Sequence, residues 1–312
     1  MKLAALIAQY IAHKRSLGMK FESPAVNLAA FLREMGNIDV ENVSRREVGR
    51  FLLTNGIRTP FYDRKHSVLR GLYQFAVARG YVKHSPLPPP TPRLPQILVP
   101  YIYSRRELAA LFRLAKGPYP RQARVEPYVI HMLLLLLYAA ALRISEALAL
   151  TLSDIDLVDD RIVIRDTKFY KSRCVPIGAD LKNALRTYLI RRSADHGSDP
   201  QGRCFLLKNG RPVKRAGAEQ RFRILCRKAD VRRDGGSRVQ PRLHDLRHSA
   251  AVHRVLAWYR SGKDVQRLLP QLATYLGHVN LSGTQRYLTL TPDLLRQASR
   301  RFERHVEEHC RA

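Results

Sequence analysis

Acidic residues are scarce in this chain. Only 26 Asp and Glu stand against 55 Lys and Arg in 312 residues, a formal net charge of +29. Such an excess repels itself unless a polyanion binds it, and nucleic acid is the commonest such partner. The imbalance is not confined to one segment: residues 1–100 hold 15 basic and 6 acidic side chains, and the remainder 40 and 20. Both halves are therefore expected to meet phosphate. Long apolar runs are also missing. The longest, Met132 to Leu142, falls well short of the ~20 residues that span a bilayer, so it reads as a buried helix and a membrane partner is not expected. Met1 to Tyr10 has neither the long apolar core nor the small-residue cleavage site of a signal peptide. The four cysteines, Cys174, Cys204, Cys226 and Cys310, form no CxxC pair, which argues against a zinc site and for reduced thiols in a cytoplasmic protein. No internal repeat and no long low-complexity segment is found.

What is present divides the chain. At this length two hydrophobic cores are expected rather than one, and the 45% apolar fraction suffices for both. Residues 1–83 read as a helical bundle. Helices are expected from Leu3 to Leu17, from Ser23 to Met35, from Ser44 to Thr54 behind a Ser44/Glu47 capping box, and in a segment ending near Gly80. In that last segment Leu69, Leu72, Tyr73 and Ala76 form an i, i+3, i+4, i+7 stripe. Taken alone, such a bundle suits either DNA or a protein partner. Residues 84–100 hold seven prolines; a backbone so restricted stays extended, and an interdomain linker is expected, with a proline-rich ligand segment as the alternative.

A second domain is expected over residues 101–290. Ser104 and Glu107 form another capping box, and Glu126 to Leu142 reads as the central buried helix. Short strands at 154–156, 161–165 and 173–177 suggest a small antiparallel sheet. Helices follow at about 179–192, 214–229, 243–259 and 264–275. Residues 291–312 hold a last helix from Pro292 to about Glu308, with an apolar stripe of Leu295, Ala298, Phe302 and Val306. The fold class is thus mainly α with a small antiparallel sheet.

Six residues stand out chemically. Arg143 interrupts the apolar stretch ALRISEALAL, where a guanidinium calls for an anion: a bound ligand, or Glu146 three residues on. Lys168 lies in the TKFYKSR turn between two expected strands, and Lys171 competes for its role. In LHDLRH, His244 and Arg247 share a helical face, pairing a proton carrier with a permanent fork of donors suited to phosphate oxygens. His248 adds the spacing of a helical metal pair, but no third ligand is suitably spaced, so no metal is expected. In LGHVNLSGTQRYL, His278 precedes Tyr287, which reads as a nucleophile. A phenol that ionises only around pH ~10 needs cations to stabilise the charge that builds on the group it attacks.

The ordered set Arg, Lys, His-x-x-Arg, His, Tyr resembles the catalytic domain of the tyrosine recombinases, also called the phage integrase family, over roughly residues 101–300. Residues 1–82 resemble the helical core-binding domain that precedes it. The resemblance implies a site-specific recombinase whose two domains clamp DNA, cutting and rejoining it through a 3′-phosphotyrosyl link and a Holliday junction. Tyr287 would attack the phosphate, Arg143 and Arg247 would hold the non-bridging oxygens, Lys168 would protonate the departing 5′-oxygen, His244 would assist proton transfer at the nucleophile and His278 would hydrogen-bond the phosphate. The phosphotyrosine keeps the bond energy, so no cofactor is implied. Implied partners are a double-stranded recombination site, a homo-tetramer on synapsed DNA, other recombinases and accessory DNA-bending proteins, at the nucleoid, in the service of a mobile element or chromosome. In the family the last helix often docks on a neighbouring protomer. Two departures stand out: Ala141 where a glycine is usual, and TKFYK in place of a glycine-flanked lysine. The alternatives are a type IB topoisomerase-like relaxing activity and a catalytically idle DNA-binding accessory protein.

Overall fold

The computed structural model describes residues 1–53, 55–89, 99–165, 172–236 and 239–277, together with Arg296, Ser299 and Glu303. These residues form eleven helices, α1 to α11, and one small sheet. The chain divides into two compact units, the first holding α1 to α4 and the second α5 onward.

Local signals set the helix starts in the first unit. After α1 (Leu3–Ser16) and α2 (Glu22–Met35), α3 (Arg45–Leu52) begins where expected, because both halves of the capping box form. The Glu47 backbone N–H donates to Ser44 Oγ at 3.2 Å, and the Ser44 N–H donates to Glu47 Oε2 at 3.1 Å. α4 (Pro60–Ala78) starts on a proline, whose missing N–H does no harm in a first turn. Its stripe of Leu69, Leu72, Tyr73 and Ala76 is fully buried against Leu3, Leu6, Leu28, Phe31 and Leu52. The proline-rich stretch begins on this unit: Leu87 is buried in the same core, its carbonyl accepts from Arg45 Nη2 at 3.4 Å, and His66 Nε2 lies 3.1 Å from the Pro88 carbonyl.

In the second unit α5 (Arg105–Lys116) again starts on a complete capping box. α6 (Pro127–Ala139) packs against α5, α8 and α10 and buries Val129, Ile130, Met132, Leu133, Leu134, Leu136 and Leu137, as its all-round apolarity requires. It stops three residues short of the expected end. Ala140 caps it, and Ala141 takes φ +48°, a left-handed conformation that costs an alanine roughly 1–2 kcal/mol. No Gly, Pro or Asn marks this turn, which is why the pattern reads through it.

α7 (Ile144–Ala149) leads into the sheet: β1 (Ile155–Asp156), β2 (Arg161–Ile164) and β3 (Arg173–Pro176), antiparallel in that order. Ile162 pairs with both Ile155 and Val175, and Ile162, Ile164 and Val175 are buried while Arg161 and Cys174 point outward. α8 (Ala179–His196) runs a turn beyond expectation, held there by the buried Arg192, which donates to the carbonyls of Gly197 and Arg203. α9 (Arg215–Lys228), α10 (Asp245–Arg260) and α11 (Val265–Leu276) follow, the last capped by the Asp264 side chain on the Arg267 N–H. The helix expected over Pro292 to Glu308 lies outside the described residues apart from Arg296, Ser299 and Glu303. No described helix is long and apolar enough to cross a membrane.

Gly71 in α4 gives this packing a test. A Cβ there would lie 2.2 Å from Tyr10 Oη, and Tyr10 is itself buried between Phe21 and Phe75. Helix propensity favours Gly71→Ala by ~1 kcal/mol, but overpacking costs ~1–3 kcal/mol. Gly71→Ala is therefore expected to lower the midpoint of denaturant unfolding, and Tyr10→Phe in the same chain to restore part of the loss. A stabilised Gly71→Ala protein would contradict the close approach.

Candidate active site

The left-handed turn at Ala141 sets Arg143 as the residue that caps α7 and Glu146 in its first turn. Glu146 Oε2 accepts the Arg143 backbone N–H at 2.8 Å and Oε1 accepts Arg143 Nη1 at 2.7 Å, so the ion pair anticipated from the spacing forms. The Glu146 side chain is only 8% exposed, and it serves more than one partner. Arg173, at the start of β3, donates Nη1 to Oε1 at 3.0 Å and Nη2 to Oε2 at 2.9 Å, a bidentate fork. Arg247 Nη1 lies 4.0 Å from Oε2. Among the described residues, three guanidiniums thus converge on one carboxylate.

All three arginines also hold backbone carbonyls at the end of α11, Arg173 through Nε on that of Tyr275 at 3.3 Å. Arg143 Nη2 donates to the Gly277 carbonyl at 2.8 Å, and Arg247 donates to the Leu276 carbonyl and, at 2.5 Å, to that of Ala141. The carbonyl of the strained Ala141 is therefore fixed by a charged donor, which offsets part of the cost of the turn. Gly277 takes φ +63°, and a Cβ on it would fall 2.9 Å from Arg173 Cζ, so glycine is required twice over.

α10 begins just beyond His244. The Asp245 carboxylate accepts the Arg242 N–H at 2.9 Å and Arg242 Nη2 at 2.8 Å, while Ser249 Oγ, bonded to the Asp245 carbonyl, accepts the Tyr103 N–H at 2.9 Å. This scaffold buries Arg247 and leaves His244 half-buried. The His244 and His248 rings meet edge to face, 4.7 Å apart with planes at 84°.

Of the six residues singled out by sequence, Arg143, His244 and Arg247 lie in this cluster. Lys168, His278 and Tyr287 lie outside the described residues, as does Lys171, the other lysine considered for the role of Lys168. Arg173 was not singled out: in sequence it is one more arginine on a short strand, and its partner Glu146 is 27 residues away.

The phage integrase family model matches residues 110–293. A Sinorhizobium fredii chain named as an integrase/recombinase, y4rE, is 33% identical over 306 residues, covering 96% of this chain and 95% of that one. The tyrosine recombinase XerD of Mycobacterium tuberculosis is 31% identical over 284 residues, covering 85% and 84%. Among solved structures, the Tn1549 transposon integrase in complex with transposon right end DNA superposes with a TM-score of 0.64 at 17% identity, over 97% of this chain and 99% of that one. A lambda integrase tetramer bound to a Holliday junction gives 0.64 at 14% identity, over 92% and 77%. At such identities the likeness is one of fold.

The electrostatics of the cluster give its pH behaviour. Burial alone would push the Glu146 carboxyl up, but hydrogen bonds from Arg173 and Arg143 hold it down to about 2. His244 moves to about 4, first through burial and then through Arg247. Burial likewise takes His131 and His253 to about 4. These imidazoles are neutral in the folded chain, whereas in the unfolded chain they take up protons below pH ~6.5. Stability should therefore fall as pH drops from about 6.5 towards 4, well before Glu146 is protonated, with each histidine contributing up to ~1.4 kcal/mol per pH unit. Melting temperatures measured between pH 7 and 4 test this, and a flat profile down to pH 5 would contradict it.

Proposed function

The chain belongs to the phage integrase family of tyrosine recombinases, enzymes that cut and rejoin DNA at specific sites, and we propose that Tyr287 is its nucleophile, served by Arg143, Lys168, His244, Arg247 and His278. The observation that carries this assignment is the convergence of Arg143, Arg173 and Arg247 on the single carboxylate of Glu146 with His244 beside them. Three fixed cations facing one anion leave a positive field shaped for a phosphodiester.

In this reading Tyr287 Oη attacks phosphorus, the bond to the 5′-oxygen breaks, and a 3′-phosphotyrosyl link and a free 5′-hydroxyl result. Arg143 and Arg247 offset the charge on the non-bridging oxygens of the pentacoordinate transition state. His244 is neutral at pH 7 and so can accept the phenolic proton. Burial first and then the arginines depress its basicity, and the scissile phosphate, arriving among them with a negative charge, raises it again as the reaction begins. Lys168 gives a proton to the 5′-oxygen, and His278 donates a hydrogen bond to the phosphate. Reversal on a partner strand yields a Holliday junction.

The two units would close on DNA as a clamp joined by the proline-rich segment, with residues 1–83 as the core-binding part, 101–290 as the catalytic part and 291–312 as a C-terminal helix docked either on its own domain or on a neighbouring protomer. A homo-tetramer on synapsed DNA at the nucleoid, with other recombinases or DNA-bending proteins in attendance, is the assembly this implies. The lambda integrase tetramer on a Holliday junction supports such a mode by analogy. The high net charge supports DNA as the partner and makes binding steeply salt-dependent.

A suicide substrate nicked beside the cleavage site should trap wild-type protein covalently on DNA. Tyr287→Phe should bind the same DNA and form no adduct, because only the attacking oxygen is lost; an adduct at wild-type yield would remove Tyr287 from the mechanism. Exchange between two plasmid sites separates recombination from a topoisomerase that relaxes any supercoil without exchange. Lys168→Ala should slow cleavage of a normal 5′-oxygen substrate far more than that of a 5′-sulfur analogue, whose leaving group needs no proton. The same contrast in Lys171→Ala would transfer the role to Lys171.

A further inference from the structure

Arg173 is not one of the residues proposed above to react, yet its side chain is mostly buried at the junction of three segments. It stands opposite Ile164 in the sheet, five residues after Lys168 in sequence. Its two terminal nitrogens grip both oxygens of Glu146, at 3.0 and 2.9 Å, while Nε donates to the Tyr275 carbonyl at 3.3 Å, three residues before His278. Its guanidinium also fills the space where a side chain at residue 277 would stand. A bidentate fork fixes the plane of a carboxylate as well as its position. Glu146 in turn holds Arg143 through Nη1 and the backbone N–H.

We propose that Arg173 is a positioning residue for strand cleavage: by clamping Glu146 and the end of α11 together, it sets the Arg143 guanidinium in the orientation that receives the scissile phosphate. The inference rests on the recombinase reading above. It differs from a merely structural ion pair in one respect. A structural pair would stabilise the fold without passing its effect through Glu146 to the reaction rate.

The groups facing Glu146 are Arg143 at the start of α7, Arg173 on β3 and Arg247 on α10. Without Arg173 the carboxyl loses a bidentate pair of charged donors, and burial raises its affinity for the proton. Once protonated, Glu146 no longer grips Arg143 as an ion. Cleavage by Arg173→Ala should therefore weaken on the acid side at a higher pH than cleavage by wild type.

The test is single-turnover cleavage of the suicide substrate by the full chain at saturating DNA, across pH. The proteins are wild type, Arg173→Ala, Arg173→Lys, Glu146→Gln and the Arg173→Ala/Glu146→Gln pair. Misplacing a phosphate-binding group costs roughly 10- to 100-fold. Arg173→Ala should slow adduct formation by about that factor with DNA affinity little changed, and Arg173→Lys should recover part of the rate. In the Glu146→Gln background, Arg173→Ala should cost far less, and the raised acid limb should vanish. If Arg173→Ala folds poorly, Arg173→Lys and the shift of its acid limb decide. Wild-type cleavage by Arg173→Ala would overturn the proposal, and so would equal losses in both backgrounds with an unmoved pH profile. Absence of any adduct with wild type would overturn the recombinase reading itself.

Discussion

A single buried carboxylate organises the second unit. Glu146 accepts from Arg143 and Arg173, lies within ionic reach of Arg247, and caps the start of α7 on which Arg143 sits. Taking charges out of water is expensive, and a buried pair breaks even only when its geometry is good and its remaining donors are satisfied. Here the requirement is met by an unusual division of labour. The carboxylate satisfies one side of each guanidinium of Arg143 and Arg173, and the carbonyls of Ala141, Tyr275, Leu276 and Gly277 receive donors from the three arginines. The cluster still holds more positive than negative charge, which a phosphodiester is suited to balance.

The backbone bends to make this possible. Ala141 and Gly277 both sit in the left-handed region, one ending α6 and the other ending α11, and both present carbonyls to arginines of the cluster. At Gly277 the conformation and the nearby Arg173 guanidinium each exclude a side chain. At Ala141 the conformation is demanding, and alanine tolerates it at modest cost. This gives physical sense to the glycine that the family resemblance leads one to expect there, and to alanine in its place. Strain of this kind persists where the surroundings over-determine it, and a charged donor on the strained residue's own carbonyl is such a surrounding.

In the proposed mechanism His244 would put the same field to chemical use. Burial and the neighbouring arginines keep its imidazole neutral well below pH 7. The form ready to take a proton is thus the resting form. In that mechanism an incoming anion would weaken the field that holds it there, so that basicity would grow as substrate binds. Arrangements in which one set of cations binds the ligand and tunes the base link recognition to reactivity without a moving part.

The helix starts at Ser44 and Ser104, the buried stripe of α4 and the antiparallel strands were legible in the sequence, because each depends on residues within a turn or two of one another. That Arg143, His244 and Arg247 would take part in one cluster was suggested for another reason: a guanidinium at the end of an apolar run calls for an anion, and three-residue spacing sets His244 and Arg247 on one helical face. The end of α6 was not legible, since Ala140 and Ala141 carry no breaking signal and tertiary bonds to Ala141 impose the turn. Neither was Arg173, whose meaning lies in a carboxylate 27 residues away and a carbonyl 102 residues away. Sequence by itself determined the elements, the positive charge and the candidate chemistry, because propensity, capping and net charge are local or additive quantities. Only the tertiary structure decided which guanidinium answers to which carboxylate, because that depends on where distant segments meet, and no local pattern encodes the meeting.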